Sequence, residues 1–299
     1  MLRENCVVNL NSDSTGSFYT GDIVTGTVVL EFEKEENIES LDFEVYGVSK
    51  AQWSRAKPTI PYIKIYSEKT KILSIKINNV FNDIIAGKRI KPGIYSYPFH
   101  FALPVDLPSS FHSSIAKVHY SIRIKSKPFY KIRKTVPFTV LGNVNLNHIE
   151  DYLVSSTYEF EKTFRNSGLL HITVRTYTGF ASKQTVPIEI AIHNEKKIKI
   201  QKINISLIQK LKYTVSKGYA EEERKMSKTE HRKFSNTLAE ICNFDFDLPQ
   251  LIPSSVHIID PMVDISYLFR IEVTFPFHFA LCGDIPVTVS TVPVIHYDF

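Results

Sequence analysis

FHFALPVDLPSS at residues 99–110 and FDFDLPQLIPSS at residues 244–255 follow one pattern, F-x-F-x-L-P-x-x-L/I-P-S-S, at a constant offset of 145. Seven of the twelve aligned positions are identical and no gap is needed. The pattern is that of a strand ending in a turn. Alternation puts two rings and a Leu on one sheet face, the first Pro withholds a ladder donor, and Pro-Ser-Ser turns the chain. An apolar repeat of this kind reads as scaffold rather than as an active site. Beyond each copy, Tyr120-Ser121-Ile122-Arg123-Ile124 matches Tyr267-Leu268-Phe269-Arg270-Ile271 at an offset of 147. Upstream, the strand after Phe18 corresponds to the one after Phe180. The 299 residues allow two domains or one large β domain at about 150 residues per domain, and the repeat selects two related lobes.

Composition agrees with strands. Aromatic residues make up 12% of the chain, 20 Phe and 15 Tyr against a single Trp, and these side chains favour sheets. Apolar and polar residues alternate in Ile23–Phe32, at 41–45, 118–124, 186–192, 198–208 and 265–273, which predicts sandwich strands. No long helical stretch is found, and the expected class is all-β. The expected boundaries are a lobe over 1–147, a linker over 148–165 and a lobe over 166–299. Residues 213–236 lack alternation and predict a solvated, mobile loop. PFHFAL at 276–281 repeats 98–103 at an offset of 178 without a following Pro-Ser-Ser, and reads as a coincidental alternating strand.

Several chemistries lack their starting residues. No G-x-G-x-x-G, G-x-x-x-x-G-K-S/T, H-E-x-x-H or G-x-S-x-G occurs. Asp245 and Asp247 sit two apart, but alternation puts both on a polar strand face, and no catalytic residue, cofactor or metal is expected. Cys6, Cys242 and Cys282 are odd in number and far apart, which predicts free thiols in a reducing compartment. The N-terminal residues lack an apolar signal core, and no apolar run is long enough to span a bilayer, so a cytoplasmic chain is expected. The net charge of +5 is too small for dedicated nucleic-acid binding.

Tyr19-Thr20-Gly21-Asp22-Ile23-Val24-Thr25-Gly26-Thr27-Val28 is similar to the opening of the α-arrestin, or arrestin-domain-containing, family, matching its G-D-x-V-x-G-x-V from Gly21 to Val28. Gly47 followed by Trp53 adds to the likeness. So do the run from Pro92-Gly93 through Pro98-Phe99 to Pro108-Ser109-Ser110-Phe111, and LGNVNLN at 141–147. The second lobe departs: where the family shows G-Y-x-P-G-E, this chain has Gly179-Phe180-Ala181-Ser182-Lys183-Gln184, without the Pro and Gly of the turn. The resemblance implies two tandem immunoglobulin-like β-sandwich lobes and a non-enzymatic adaptor in protein transport, endocytosis or ubiquitination, peripheral at the plasma membrane or endosomes. Its partners would be cytoplasmic tails of membrane proteins. The family recruits ubiquitin ligases through Pro-Pro-x-Tyr in a C-terminal tail; no Pro-Pro-x-Tyr occurs here, so a ubiquitin ligase stays a candidate partner without the motif that would recruit it. Pro58-Thr59-Ile60-Pro61 is a lone P-x-x-P. The alternative functions are a retromer-subunit-like coat component and a β-sandwich hydrolase.

One charged feature points to a partner. RIKSKPFYKIRK at 123–134 holds six basic residues and no acid, with Arg123, Lys125 and Lys127 on one strand face. With Lys131, Arg133 and Lys134 they form a candidate surface for phosphorylated tails or an anionic membrane. The competing explanation is an edge strand protected by positive charge. Lys88, Arg89 and Lys91 form a smaller second candidate.

Overall fold

The structure is a computed structural model that describes residues 6–12, 16–56, 62–77, 81, 89–127, 132–164, 168–235 and 237–297. Contacts divide the chain into two units. One holds residues 1–142 with 213–219 and 260–262, the other the remainder.

The first unit contains β1 (Cys6–Leu10), β2 (Ser17–Tyr19), β3 (Ile23–Phe32), β4 (Ser40–Ala56), β5 (Ile63–Ile77), β6 (Gly93–Ala102), β7 (Phe111–His112), β8 (Ala116–Lys127) and β9 (Arg133–Leu141). One sheet runs β1-β3-β6 and the other β2-β9-β8-β4-β5, with β7 also paired to β8. The remaining elements are a 3-10 turn (Glu150–Tyr152), β10 (Ser156–Phe164), β11 (Gly168–Thr176), β12 (Gly179–Ala181), β13 (Thr185–Asn194), β14 (Lys202–Val215), β15 (Gly218–His231), β16 (Ala239–Asp247), β17 (Val263–Phe275) and β18 (His278–Ser290). Their sheets run β10-β11-β13-β16 and β12-β18-β17-β14-β15. The two topologies correspond strand for strand. β1, β3 and β6 take the places of β11, β13 and β16, and the short strands β2 and β12 both run parallel to the last strand of their lobe. The duplication seen in the sequence is therefore a duplication of two-sheet β-sandwiches, with β10 added to the second.

The repeated motif closes each sandwich. Phe99 and Phe101 are buried and stack at 6.2 Å, and Phe43 lies 4.9 Å from Phe99. In the second copy Phe246 packs 5.1 Å from Phe269, while Phe244 is half-buried against His231. The serines satisfy backbone donors that would otherwise be orphaned. Ser109 Oγ accepts from the Gly142 N–H and Ser254 Oγ from the Val289 N–H, both at 2.9 Å. Ser110 and Ser255 accept likewise from Val140 and Ile265 at 3.0 Å. A tyrosine then ties each turn to the next strand: Tyr120 donates to the Pro108 carbonyl at 2.5 Å, and Tyr267 to that of Ile252 at 2.8 Å. Burial pushes both phenols up, Tyr267 to about 12. Gly47 makes room for Tyr120, because a Cβ there would lie 2.7 Å from its ring.

Four expectations change. The linker over 148–165 contains β10, a full strand paired to β11 from Ser156↔Thr176 to Phe164↔Gly168. Its alternation escapes notice because its inward positions include the polar Ser156 and Lys162 beside Tyr158, Phe160 and Phe164. Residues 143–147, expected to close the first lobe, are clamped within the second unit. Val144 and Leu146 share an apolar cluster with Leu153 and Val294, and Asn147 bonds Pro293 and Ile295. The loop expected over 213–236 is largely β15, whose alternating charges form short ion pairs along the strand, as Arg224 does with Glu222 at 2.7 Å. PFHFAL is not one strand: the ladder pair Phe275↔His278 makes Pro276 and Phe277 a two-residue turn, Phe277 sitting at φ 60°. The remaining alternating stretches fall within β3, β4, β8, β13, β14 and β17, although 198–201 precede β14.

Candidate functional site

Pairing fixes which basic side chains meet. β8 is an interior strand, bonded to β4 on one side and to β9 on the other, so edge protection does not explain its charge. Ile122, Ile124 and Ser126 point into the sandwich and are fully buried. Arg123, Lys125 and Lys127 alternate with them on the outer face, and Arg133, directly opposite Lys125, joins them. Lys134 stands opposite inward Ile124 and is on the other face. Arg89 and Lys91 precede β6 in the other sheet. Arg89 comes within 4.0 Å of Glu35, and the Lys91 carbonyl accepts from Tyr95. Lys88, Lys131 and the P-x-x-P at 58–61 lie outside the described residues.

Part of the outer strip is already engaged. The Arg123 guanidinium lies over the Tyr46 ring, 3.4 Å from its centroid, and Lys127 pairs with Asp42 at 3.1 Å. Glu44, opposite Arg123, accepts from Ser74 at 3.1 Å. Lys125 and Arg133 have no ion-pair partner among the described residues.

The same face continues along β8 to Lys117 and His119, which the basic run in the sequence did not include. Lys50 on β4 stands directly opposite Lys69 on β5 and Lys117 on β8, and Lys117 stands opposite His112 on β7. Three lysines and a histidine thus form one row across four strands. Like charges directly opposite destabilise a sheet, and none of the three lysines has a carboxylate within ion-pair distance among the described residues. The row borders a hollow of about 460 Å³ walled by Ser113, Ser114 and Ile115. Burial holds His119 below the usual imidazole range, and the charges of Lys117, Lys50, Arg123 and Lys69 lower it further. Its Nδ1 is buried without a hydrogen-bond partner. Only register aligns Lys50, Lys69 and Lys117, and no spacing in the sequence carries it.

The other candidates are structural. Asp245 and Asp247 are exposed, and Asp247 accepts from Thr185 at 2.6 Å. The three cysteines are unbridged thiols; Cys6 and Cys242 are buried and Cys282 is exposed. A second hollow of about 500 Å³ on the β10-β11-β13-β16 sheet is lined by His171 and His193, each near a carboxylate: Glu161 at 3.0 Å and Glu195 at 3.8 Å. Among the described residues no group of three or more His, Cys, Asp or Glu could hold a metal ion. No helix among them is long and apolar enough to cross a membrane.

Two family models match the chain: the arrestin (or S-antigen) N-terminal domain over residues 6–147 and the arrestin (or S-antigen) C-terminal domain over 166–294. Arrestin domain-containing protein 1 of Rattus norvegicus is 29% identical over 132 residues, 42% of this chain and 30% of that protein. Arrestin domain-containing protein 17 of Caenorhabditis elegans is 25% identical over 139 residues, 44% of this chain and 33% of that protein. An arrestin domain-containing protein of Schizosaccharomyces pombe is 22% identical over 210 residues, 66% of this chain and 33% of that protein. The chain therefore matches about a third of the length of each relative.

Proposed function

Because the chain belongs to the arrestin-domain-containing, or α-arrestin, family, we propose that it is a non-enzymatic adaptor that binds cytoplasmic tails of membrane-protein cargo and delivers them to trafficking or ubiquitination machinery. It works in the cytoplasm and at the inner surface of the plasma membrane or endosomes. The mechanism is occupancy: a tail is held along sheet faces and edges while other surfaces hold the machinery, and no bond is made or broken. One observation carries the reading: the outer face of β8 bears cations on an interior strand, with Lys125 and Arg133 directly opposite one another and, among the described residues, without an ion-pair partner, the Asp42 carboxylate opposite Lys125 being engaged by Lys127. An interior strand has no open edge to protect, so that charge is available to an acidic or phosphorylated tail.

The test is fluorescence anisotropy of acidic and phosphorylated tail peptides with the full chain and with Lys125→Gln/Arg133→Gln. Both positions are on the outer face and outside the Arg123–Tyr46 stack, so the double variant should keep the wild-type melting temperature. At least one tail should bind wild type and lose tenfold or more in affinity. Equal binding by the two proteins would remove this face from the adaptor mechanism.

A further inference from the structure

We propose that the hollow beside Lys69, Lys50 and Lys117 is a binding site for a compact, multiply charged phosphate anion. The inference does not depend on the adaptor reading, because it concerns a different end of the face and a small ligand. Three adjacent strands at about 4.8 Å spacing set the three Cα atoms across about 10 Å. Each ammonium brings three donors and no acceptor, and charge-assisted contacts to phosphate oxygens are among the strongest that exposed side chains make. Without an anion the row is repulsive: a carboxylate, Glu68, also lines the hollow, but it is not within ion-pair distance of any of the three lysines. Glu68, next to Lys69, stands opposite inward Ala51 on the alternate side of β5, where it accepts from the Ser216 N–H at 2.6 Å.

The wall favours a compact ligand over an extended peptide. The Ile115 carbonyl accepts from the Gln52 N–H at 2.8 Å. Ser113 Oγ accepts from the N–H groups of Ile115 and Ala116 at 3.2 and 3.0 Å, which holds the turn against the sheet. Ser114 is exposed there and offers a hydroxyl. His119, facing Lys117 and Arg123 on its own strand, Lys50 on β4 and Lys69 on β5, lies in a field with no opposing carboxylate. An anion in the hollow neutralises that field and raises the imidazole's proton affinity, a signal that a merely structural row would not give.

Isothermal titration calorimetry of the full chain with sodium tripolyphosphate, with sulfate as comparator, tests the site. Tripolyphosphate should bind once per chain and at least tenfold more tightly than sulfate. Lys50→Met and Lys117→Met should each weaken it tenfold or more, whereas Lys199→Met, exposed and outside the hollow, should leave it unchanged. Folding is checked independently, since Lys50→Met relieves repulsion and should raise the ligand-free melting temperature. Tripolyphosphate should raise the His119 titration midpoint in NMR spectra of wild type and not of Lys50→Met.

Co-sedimentation with vesicles of phosphatidylcholine, with and without phosphatidylinositol bisphosphate, separates the two sources of such an anion. Lys50-dependent pelleting only with the phosphoinositide assigns a lipid headgroup, and tripolyphosphate binding without pelleting assigns a soluble anion. Failure of both probes, equal affinity for sulfate, equal losses in Lys50→Met and Lys199→Met, or displacement of tripolyphosphate by a phosphopeptide at lower concentration each overturns the proposal.

Discussion

Lys183 occupies φ 65°, a left-handed conformation in which a side chain is strained. It stands where the family's turn carries glycine, and the matching turn of the first lobe has Gly21 at φ 89°. The hydrogen bonding of the turn is kept by other means. The Tyr19 N–H donates to the Asp22 carboxylate at 2.8 Å, and the Ala181 N–H donates to Gln184 Oε1 at 2.9 Å. Lys183→Gly should therefore stabilise the protein by about 0.5–1 kcal/mol in urea unfolding, the relief of strain being partly offset by the freer unfolded chain. Gly21→Ala should lose a similar amount. Tyr120→Phe removes the donor to the Pro108 carbonyl and should cost about 1–3 kcal/mol. Tyr267→Phe should cost at least as much, because Gln209 Nε2, 2.8 Å from the hydroxyl, loses its acceptor as well. Arg123 and Arg270 occupy equivalent places in the repeat but differ in partner. Arg123 covers Tyr46, whereas Arg270 forks onto Asp284 at 2.8 Å through two nitrogens and reaches Glu223 at 2.9 Å.

Charge has opposite meanings on two elements of similar composition. β15 pairs with β14 alone and is an edge of its sheet; its Glu and Lys residues are what such an edge needs against pairing with another chain. Replacing Lys225 and Lys228, both exposed on β15, by Val should leave chemical stability within about 0.5 kcal/mol while increasing light scattering on heating. A large loss of stability instead would mean that these lysines serve the fold. β8, with a comparable run, is interior, so edge protection does not account for its cations. Composition does not distinguish the two cases, since the sequence shows charge but not neighbours. Alternation made β3, β13 and β17 legible, and the F-x-F-x-L-P repeat made the two lobes legible. β10 was not, because its inward positions include the polar Ser156 and Lys162 beside Tyr158, Phe160 and Phe164. Of the candidate site, only Arg123, Lys125 and Lys127 could be read as sharing a face; Arg133 joins them only through the pairing of β9 with β8, and the Lys69–Lys50–Lys117 row depends on the register of three strands and on the bulge at Gly47 and Val48.

For the whole molecule, the two lobes carry matched acid sensitivities from unrelated residues. In the first, burial and then the surrounding lysines and Arg123 hold His119 low. In the second, burial lowers His296, stacked on Tyr177 at 3.8 Å, against the opposing effect of its hydrogen bond to the Gly179 carbonyl at 2.7 Å. A histidine whose folded value lies below its unfolded one binds fewer protons in the native state. Its contribution to stability is fully present above about pH 6.5 and is lost as pH falls through the folded value. Native stability should therefore decline below pH 6.5 in both lobes, well before most carboxylates protonate. The two sources can be separated by residue. His119→Gln should flatten the decline in hydrogen-exchange protection of β4 and β8 between pH 6.5 and 5 and leave that of β12 and β18 unchanged. His296→Gln should weaken the hold on Gly179 at all pH values while flattening the acid slope of β12 and β18 alone. If either variant flattened both lobes together, the acid response would belong to one cooperative transition of the entire chain rather than to two sandwiches that each bury a neutral imidazole.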